Sequence, residues 1–72
     1  MTPRDILYEV AIKHRIHPDE ITGKRRFHYI VRARIEAYQR CRRELGMSYP
    51  ALGRFFNRDH STVVKMLKVH GV

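Results

Sequence analysis

Apolar residues recur along this chain at three- and four-residue intervals, in stretches separated by proline, glycine and small polar residues, and that period predicts helices throughout. The first stretch opens on Thr2-Pro3-Arg4-Asp5. Thr2 can cap, Pro3 fits the first helical position, and Asp5 stands where a capping box wants an acid. Ile6, Leu7, Val10 and Ala11 then line one face of a helix to about His14. Pro18 to Gly23 reads as a single helical turn, opened by proline, closed by glycine and pinned by Ile16 and Ile21. A long helix is predicted from about Phe27 to Leu45, with Phe27, Ile30, Val31, Ala37, Tyr38, Cys41 and Leu45 as its buried stripe and Gly46 as its stop.

Ser48 is placed to cap a further helix with Pro50 in its first turn and Leu52, Phe55 and Phe56 on its apolar side. Phe55 and Phe56 are expected as core residues wedged between helices, and the aromatic content of 10% makes no case for single-stranded nucleic acid. Asn57-Arg58 predicts a tight connection, because asparagine tolerates a left-handed backbone. Asp59 then caps a last helix to about Val69, buried through Val63, Val64 and Leu67. No strand-like alternation competes with this reading. The expected fold is therefore all-α: four main helices and one short helical turn in a single domain over residues 1–72, with a helix-turn-helix at 48–69.

Charge sharpens the picture. The chain carries a net +8 and an isoelectric point near 10.4. The excess is uneven: residues 1–20 hold three Lys/Arg against four Asp/Glu, whereas residues 21–72 hold twelve against three. Such a basic region concentrates a polyanion, and nucleic acid is the commonest one. Asn57-Arg58-Asp59-His60-Ser61-Thr62 sits inside it, at the start of a helix. Arginine, aspartate and hydroxyl groups match base edges and phosphates, and a helix N-terminus adds free N–H groups; the same run also suits plain helix capping. Arg34 falls close to the stripe of the long helix, so either it snorkels outward or its guanidinium is held by a carboxylate or a phosphate. Arg32, Arg40, Arg42 and Arg43 with Glu36 and Glu44 suggest a solvated opposite face.

Other classes find little support. A chain of 72 residues buries only roughly 60% of its unfolded surface, enough for one small core. Its apolar runs are too short to cross a bilayer and its start lacks a secretory h-region, so a cytoplasmic, nucleoid-associated protein is expected. The lone Cys41 fits a reducing compartment and a core position. No convergent catalytic set is present; His14 and His17 lack further ligands at a usual spacing, so no enzyme, metal or cofactor is expected. An adaptor docking through the acidic side of the first helix has no positive support.

Four segments together resemble a known family: Lys24-Arg25-Arg26, Arg32-Ala33-Arg34-Ile35-Glu36-Ala37, Ser48-Tyr49-Pro50-Ala51-Leu52-Gly53 and Arg58-Asp59-His60-Ser61-Thr62-Val63. They resemble the C-terminal DNA-binding domain of the bacterial replication initiator DnaA, over nearly the whole chain; the last segment is the family's signature. The resemblance implies monomeric recognition of a short asymmetric box in double-stranded DNA. It implies that Arg58, Asp59, His60, Ser61 and Thr62 meet the major groove, and that the Lys24-Arg25-Arg26 loop serves the minor groove, with Arg26 entering it. It implies that Arg32, Arg34, Ser48 and Pro50 support the sugar-phosphate backbone. Lys65, one turn further along, is added from its position as a phosphate or base contact. Against the family pattern, Asn57 stands alone where a glycine pair is common, Ala33 replaces a frequent proline, and the spacing to Leu45 differs by about one residue. The chain has no Gly-rich phosphate loop and hence no nucleotide site. Met1 before a well-capped helix suggests a small free-standing DnaA-like protein, with a role in replication, in transcription or as a competitor of a host initiator, and an initiator protein as a possible partner.

Overall fold

The structure, a computed structural model, describes residues 1–69, and all its regular elements are helices: α1 (Pro3–His14), α2 (Pro18–Thr22), α3 (His28–Leu45), α4 (Tyr49–Phe56) and α5 (His60–Val69). Local capping chemistry sets most of the boundaries. At α1 the Thr2 hydroxyl accepts the Asp5 N–H at 3.2 Å and the Asp5 carboxylate accepts the Thr2 N–H at 2.9 Å, the reciprocal pair of a capping box. A second box, which the sequence reading lacks, starts α2: His17 Nδ1 accepts the Asp19 N–H and Glu20 accepts the His17 N–H, both at 3.1 Å. Gly46 ends α3 at φ 63°, and Asn57 ends α4 at φ 56°, both left-handed.

The helices share one core. Ile6, Val10, Ile21, Ile30, Tyr38, Leu52, Phe56 and Val63 are completely buried. Tyr38, in the middle of α3, meets Phe56 of α4 edge to face at 4.8 Å, and Phe55 continues the aromatic series at 4.9 Å from Phe56. Cys41 lies fully inside, and burial pushes its thiol up to about 11, so it is an inert small hydrophobe.

The buried stripe of α3 departs from the expected one at its first residue and in its composition. Phe27 is the N-cap residue rather than a helical one, and its ring is 53% exposed. The stripe is carried instead by Ile30, Ala33, Arg34, Ile35, Ala37, Tyr38 and Cys41, while Val31 and Leu45 are half-buried.

Ion pairs tie α3 to α1. Arg40 bridges Glu9 at 2.9 Å and Glu44 at 2.7 Å, and Glu36 receives Lys13 at 3.0 Å and His14 at 3.1 Å. These exposed pairs add little stability individually. Their geometric effect is larger, because they engage Glu9, Glu36 and Glu44 along the α1–α3 seam.

The join between α4 and α5 is backbone against backbone. The Arg58 N–H donates to the Gly53 carbonyl at 2.8 Å, and a Cβ on Gly53 would lie 2.6 Å from the Arg58 carbonyl oxygen and 3.2 Å from the His60 nitrogen. Only glycine permits this approach. Gly53→Ala is therefore expected to cost roughly 1–3 kcal/mol by forcing the two helices apart, read as a lower Tm, whereas Gly46→Asn, at an open left-handed position, should lose far less.

Candidate nucleic-acid interface

Asp59 organises the start of α5. Its carboxylate accepts the Ser61 N–H at 2.9 Å, and its carbonyl accepts the Thr62 N–H at 3.0 Å and the Val63 N–H at 3.3 Å. The hydrogen bonds from Ser61 hold the acid below its usual range, with a smaller contribution from neighbouring His60. Both readings of this run are thus physically compatible, since capping occupies one carboxylate oxygen and leaves the other exposed. Beyond the cap, His60, Ser61, Thr62 and Lys65 are all exposed, while Val63 and Leu67 anchor the opposite side of the helix. The exposed tip is polar throughout.

Beside it runs a groove of about 510 Å³, lined by Lys24, Arg26, Val31, Arg34, Asn57, Arg58, Asp59, Thr62 and Met66. One wall is the loop between α2 and α3; the other is the turn and first part of α5. Four cations face one acid here, which is the charge balance a phosphodiester chain would favour. The three basic residues of the loop part company: Lys24 and Arg26 line the groove, whereas the Arg25 guanidinium stands 5.9 Å from the Phe27 ring centre. Phe27 in turn lies parallel to Tyr29 at 6.0 Å, giving two half-exposed rings next to the basic loop.

Arg34 requires a correction. It does not lie on the surface as a backbone contact; it is 3% exposed, and its guanidinium is held by main-chain carbonyls rather than by a carboxylate. Its Nε donates to the Ile21 carbonyl at 2.6 Å, and its Nη2 to those of Gly23 at 3.0 Å, Arg25 at 3.1 Å and Glu20 at 3.3 Å. Partial negative charge on four carbonyl oxygens replaces a counter-ion. Burial pulls its pKa below the usual arginine value, Arg58 adds to this, Tyr38 opposes it and Arg26 adds a smaller push. Arg34 therefore shapes the loop that presents Lys24 and Arg26.

Arg58 also departs from expectation. Rather than projecting from the tip of α5, its side chain turns back across the groove and donates to the Gly23 carbonyl, to Asn57 at 3.2 Å and to Thr22 at 3.5 Å. Arg32 is not brought to the groove either. It lines a separate depression with Lys13, His14, Tyr29, Ile35, Glu36 and Gln39. Ser48 caps α4 through the Ala51 N–H at 3.2 Å and is exposed. Pro50 lies with Arg54, Arg58, Asp59 and His60 around a shallow second depression. Arg54 is a cation that motif reading missed; its spacing of four from Pro50 is the signal that could have placed it on the same helix face.

A short helix, a left-handed turn and a second helix with an exposed polar tip in basic surroundings define a helix-turn-helix of the DNA-binding class. The profile of the family described as the bacterial dnaA protein helix-turn-helix matches residues 3–69, and the chain belongs to that family. It is 34% identical over 68 residues to chromosomal replication initiator protein DnaA 2 of Chlamydia caviae, a match covering 94% of this chain and 15% of that protein. DnaA 2 of Protochlamydia amoebophila is 35% identical over 68 residues, with the same coverage of 94% and 15%. DnaA of Deinococcus radiodurans is 42% identical over 60 residues, covering 83% of this chain and 13% of that protein. The chain thus spans only about 15% of the length of the curated relatives it matches. No solved structure matches it. Among the described residues, no helix is long and apolar enough to cross a membrane.

Two expectations follow from the site itself. Arg34→Met should preserve the helices yet take the side-chain donor from the Glu20, Ile21 and Arg25 carbonyls and leave that of Gly23 to Arg58, costing roughly 2–4 kcal/mol and loosening residues 20–26, read by amide exchange. For Asp59, a lowered pKa means that the cap stabilises the fold above the ordinary carboxylate range and is lost as pH falls through the folded value. The Tm advantage of the native protein over Asp59→Ala should be full at neutral pH and shrink below about pH 4.

Proposed function

We propose that this chain binds double-stranded DNA sequence-specifically, reading a short DnaA-box-like site with the tip of α5 in the major groove and the α2–α3 loop in the adjacent minor groove. The observation that carries this reading is the exposed polar tip of α5 standing across a cation-lined groove from Lys24 and Arg26. His60 and Thr62 offer apolar edges to thymine methyls, Ser61 and Thr62 offer hydroxyls, and the free oxygen of Asp59 can accept from a cytosine amino group. Lys65 contacts phosphate or base one turn further along. Arg26 enters the narrow groove, where its charge favours an AT-rich step. Exposed Ser48 and Pro50, with Arg54 beside them, put the start of α4 against the sugar-phosphate backbone. Arg32 supplies charge from a neighbouring surface.

The protein acts as a monomer on an asymmetric site, within the cytoplasm at the nucleoid, and serves replication initiation or its regulation. It uses no nucleotide or other cofactor of its own and performs no catalysis. Regulation of transcription at such a site, or competition with an initiator protein for it, would use the same contacts.

Selection of bound duplexes from a random pool tests the reading. A single asymmetric motif is expected, preferred over random sequence by at least ~10³. With about five phosphates neutralised, the logarithm of affinity should fall against the logarithm of salt with a slope near −4.5. His60→Ala should flatten preference at particular central positions, costing about 1–3 kcal/mol there, and Arg26→Ala should loosen the AT-rich flank. A flat salt response, or no motif at all, would replace this reading with general polyanion binding or none.

A further inference from the structure

The sequence assigns Arg58 to the reading tip, yet the fold gives its side chain another occupation. Among the described residues, hydrogen bonds from Arg58 to Thr22 and Gly23 are the ones that join the turn before α5 to the α2–α3 loop, bridging 36 and 35 positions of sequence. The Gly23 carbonyl is shared: Arg34 approaches it from α3 at 3.0 Å, while Arg58 approaches from the turn. Gly23 itself is closely confined, since a Cβ there would lie 2.9 Å from the Asp19 carbonyl oxygen. The loop is therefore fixed at its start by α2, from within by Arg34 and from across the groove by Arg58. Arg26, three residues beyond the shared carbonyl, inherits its placement from that arrangement.

Resting on the proposed two-groove reading, we infer that Arg58 is a positioning residue, a clasp between the α2–α3 loop and the start of α5 that sets the spacing at which the two elements meet adjacent grooves. Its half-buried guanidinium spends its fork on main-chain oxygens, the bidentate geometry that arginine provides and lysine does not. Loss of the clasp releases the loop without disturbing the tip of α5, whose cap is made by Asp59. Specificity then fails at the flank read by Arg26, remote from Arg58 in sequence, and survives at the positions read by His60.

The test compares the native chain with Arg58→Ala, Arg58→Lys, Arg26→Ala, His60→Ala and the Arg26→Ala/Arg58→Ala double variant. Without DNA, amides of residues 23–26 should exchange faster in both Arg58 variants, with those of α5 unchanged. In duplex selection, Arg58→Ala should lose the flank preference as Arg26→Ala does while keeping the central motif. The double variant should lose no more than about twofold beyond the worse single one, where independent contacts would multiply. Arg58→Lys should lose the flank preference yet keep the salt slope, so it reports on the clasp even if Arg58→Ala is too unstable to assay. The inference is overturned if Arg58→Ala flattens a central position with the flank intact, if lysine restores full preference, or if loop exchange does not change. A native chain that selects no motif would sink the DNA reading instead, and the exchange measurement would still decide whether the clasp exists.

Discussion

The position of the α2–α3 loop depends on one buried guanidinium donating to four main-chain oxygens. Without Arg34, the carbonyls of Glu20, Ile21 and Arg25 would lose the side-chain donor it gives them, that of Gly23 would be left to Arg58 alone, and the segment carrying Lys24 and Arg26 would keep only its attachment to α2 and its tie across the groove. A charge taken out of water is costly, and here dipoles rather than a carboxylate offset it. That choice has an electrostatic result. A carboxylate at this place would have neutralised the groove; carbonyl oxygens satisfy the donor while leaving its net positive charge to be felt by a polyanion.

The remaining acids are arranged consistently with this. Glu9, Glu36 and Glu44 are occupied along the α1–α3 seam, Asp5 and Glu20 in capping boxes, and Asp19 stands exposed beside His17 at the start of α2, which leaves Asp59 as the acid among the groove's lining residues. The positive balance of the groove thus reflects the placement of the chain's few negative groups as much as that of its positive ones. Packing serves the same end, with Tyr38 and Phe56 fixing α4 against α3 and thereby fixing where α5 begins.

Much of this could be read from residue order because it is local chemistry. Thr2-Pro3-Arg4-Asp5, Ser48, Gly46, Asn57 and Asp59 act within a few residues of themselves, and the helices start and stop where those residues imply. Phe27 was misplaced because periodicity alone does not distinguish the last residue outside a helix from the first inside it, and an N-cap side chain points away from the stripe. The roles of Arg34 and Arg58 were not legible for a different reason. Their acceptors are main-chain oxygens brought close only by the folded path of the chain, and carbonyls leave no trace in a string of side chains. The polar tip of α5 was visible from sequence; the groove beside it was not, because its two walls lie some thirty residues apart along the chain.

The meeting of α4 and α5 at Gly53 has a consequence for how this scaffold can change. Since the two helices meet through peptide groups at Gly53 and are otherwise held by buried Val63 and Leu67, the orientation of α5 does not depend on the identity of the residues it displays. His60, Ser61, Thr62 and Lys65 can be exchanged while the frame stays put. A protein built this way is suited to being retargeted, by natural drift or by deliberate redesign, one exposed position at a time.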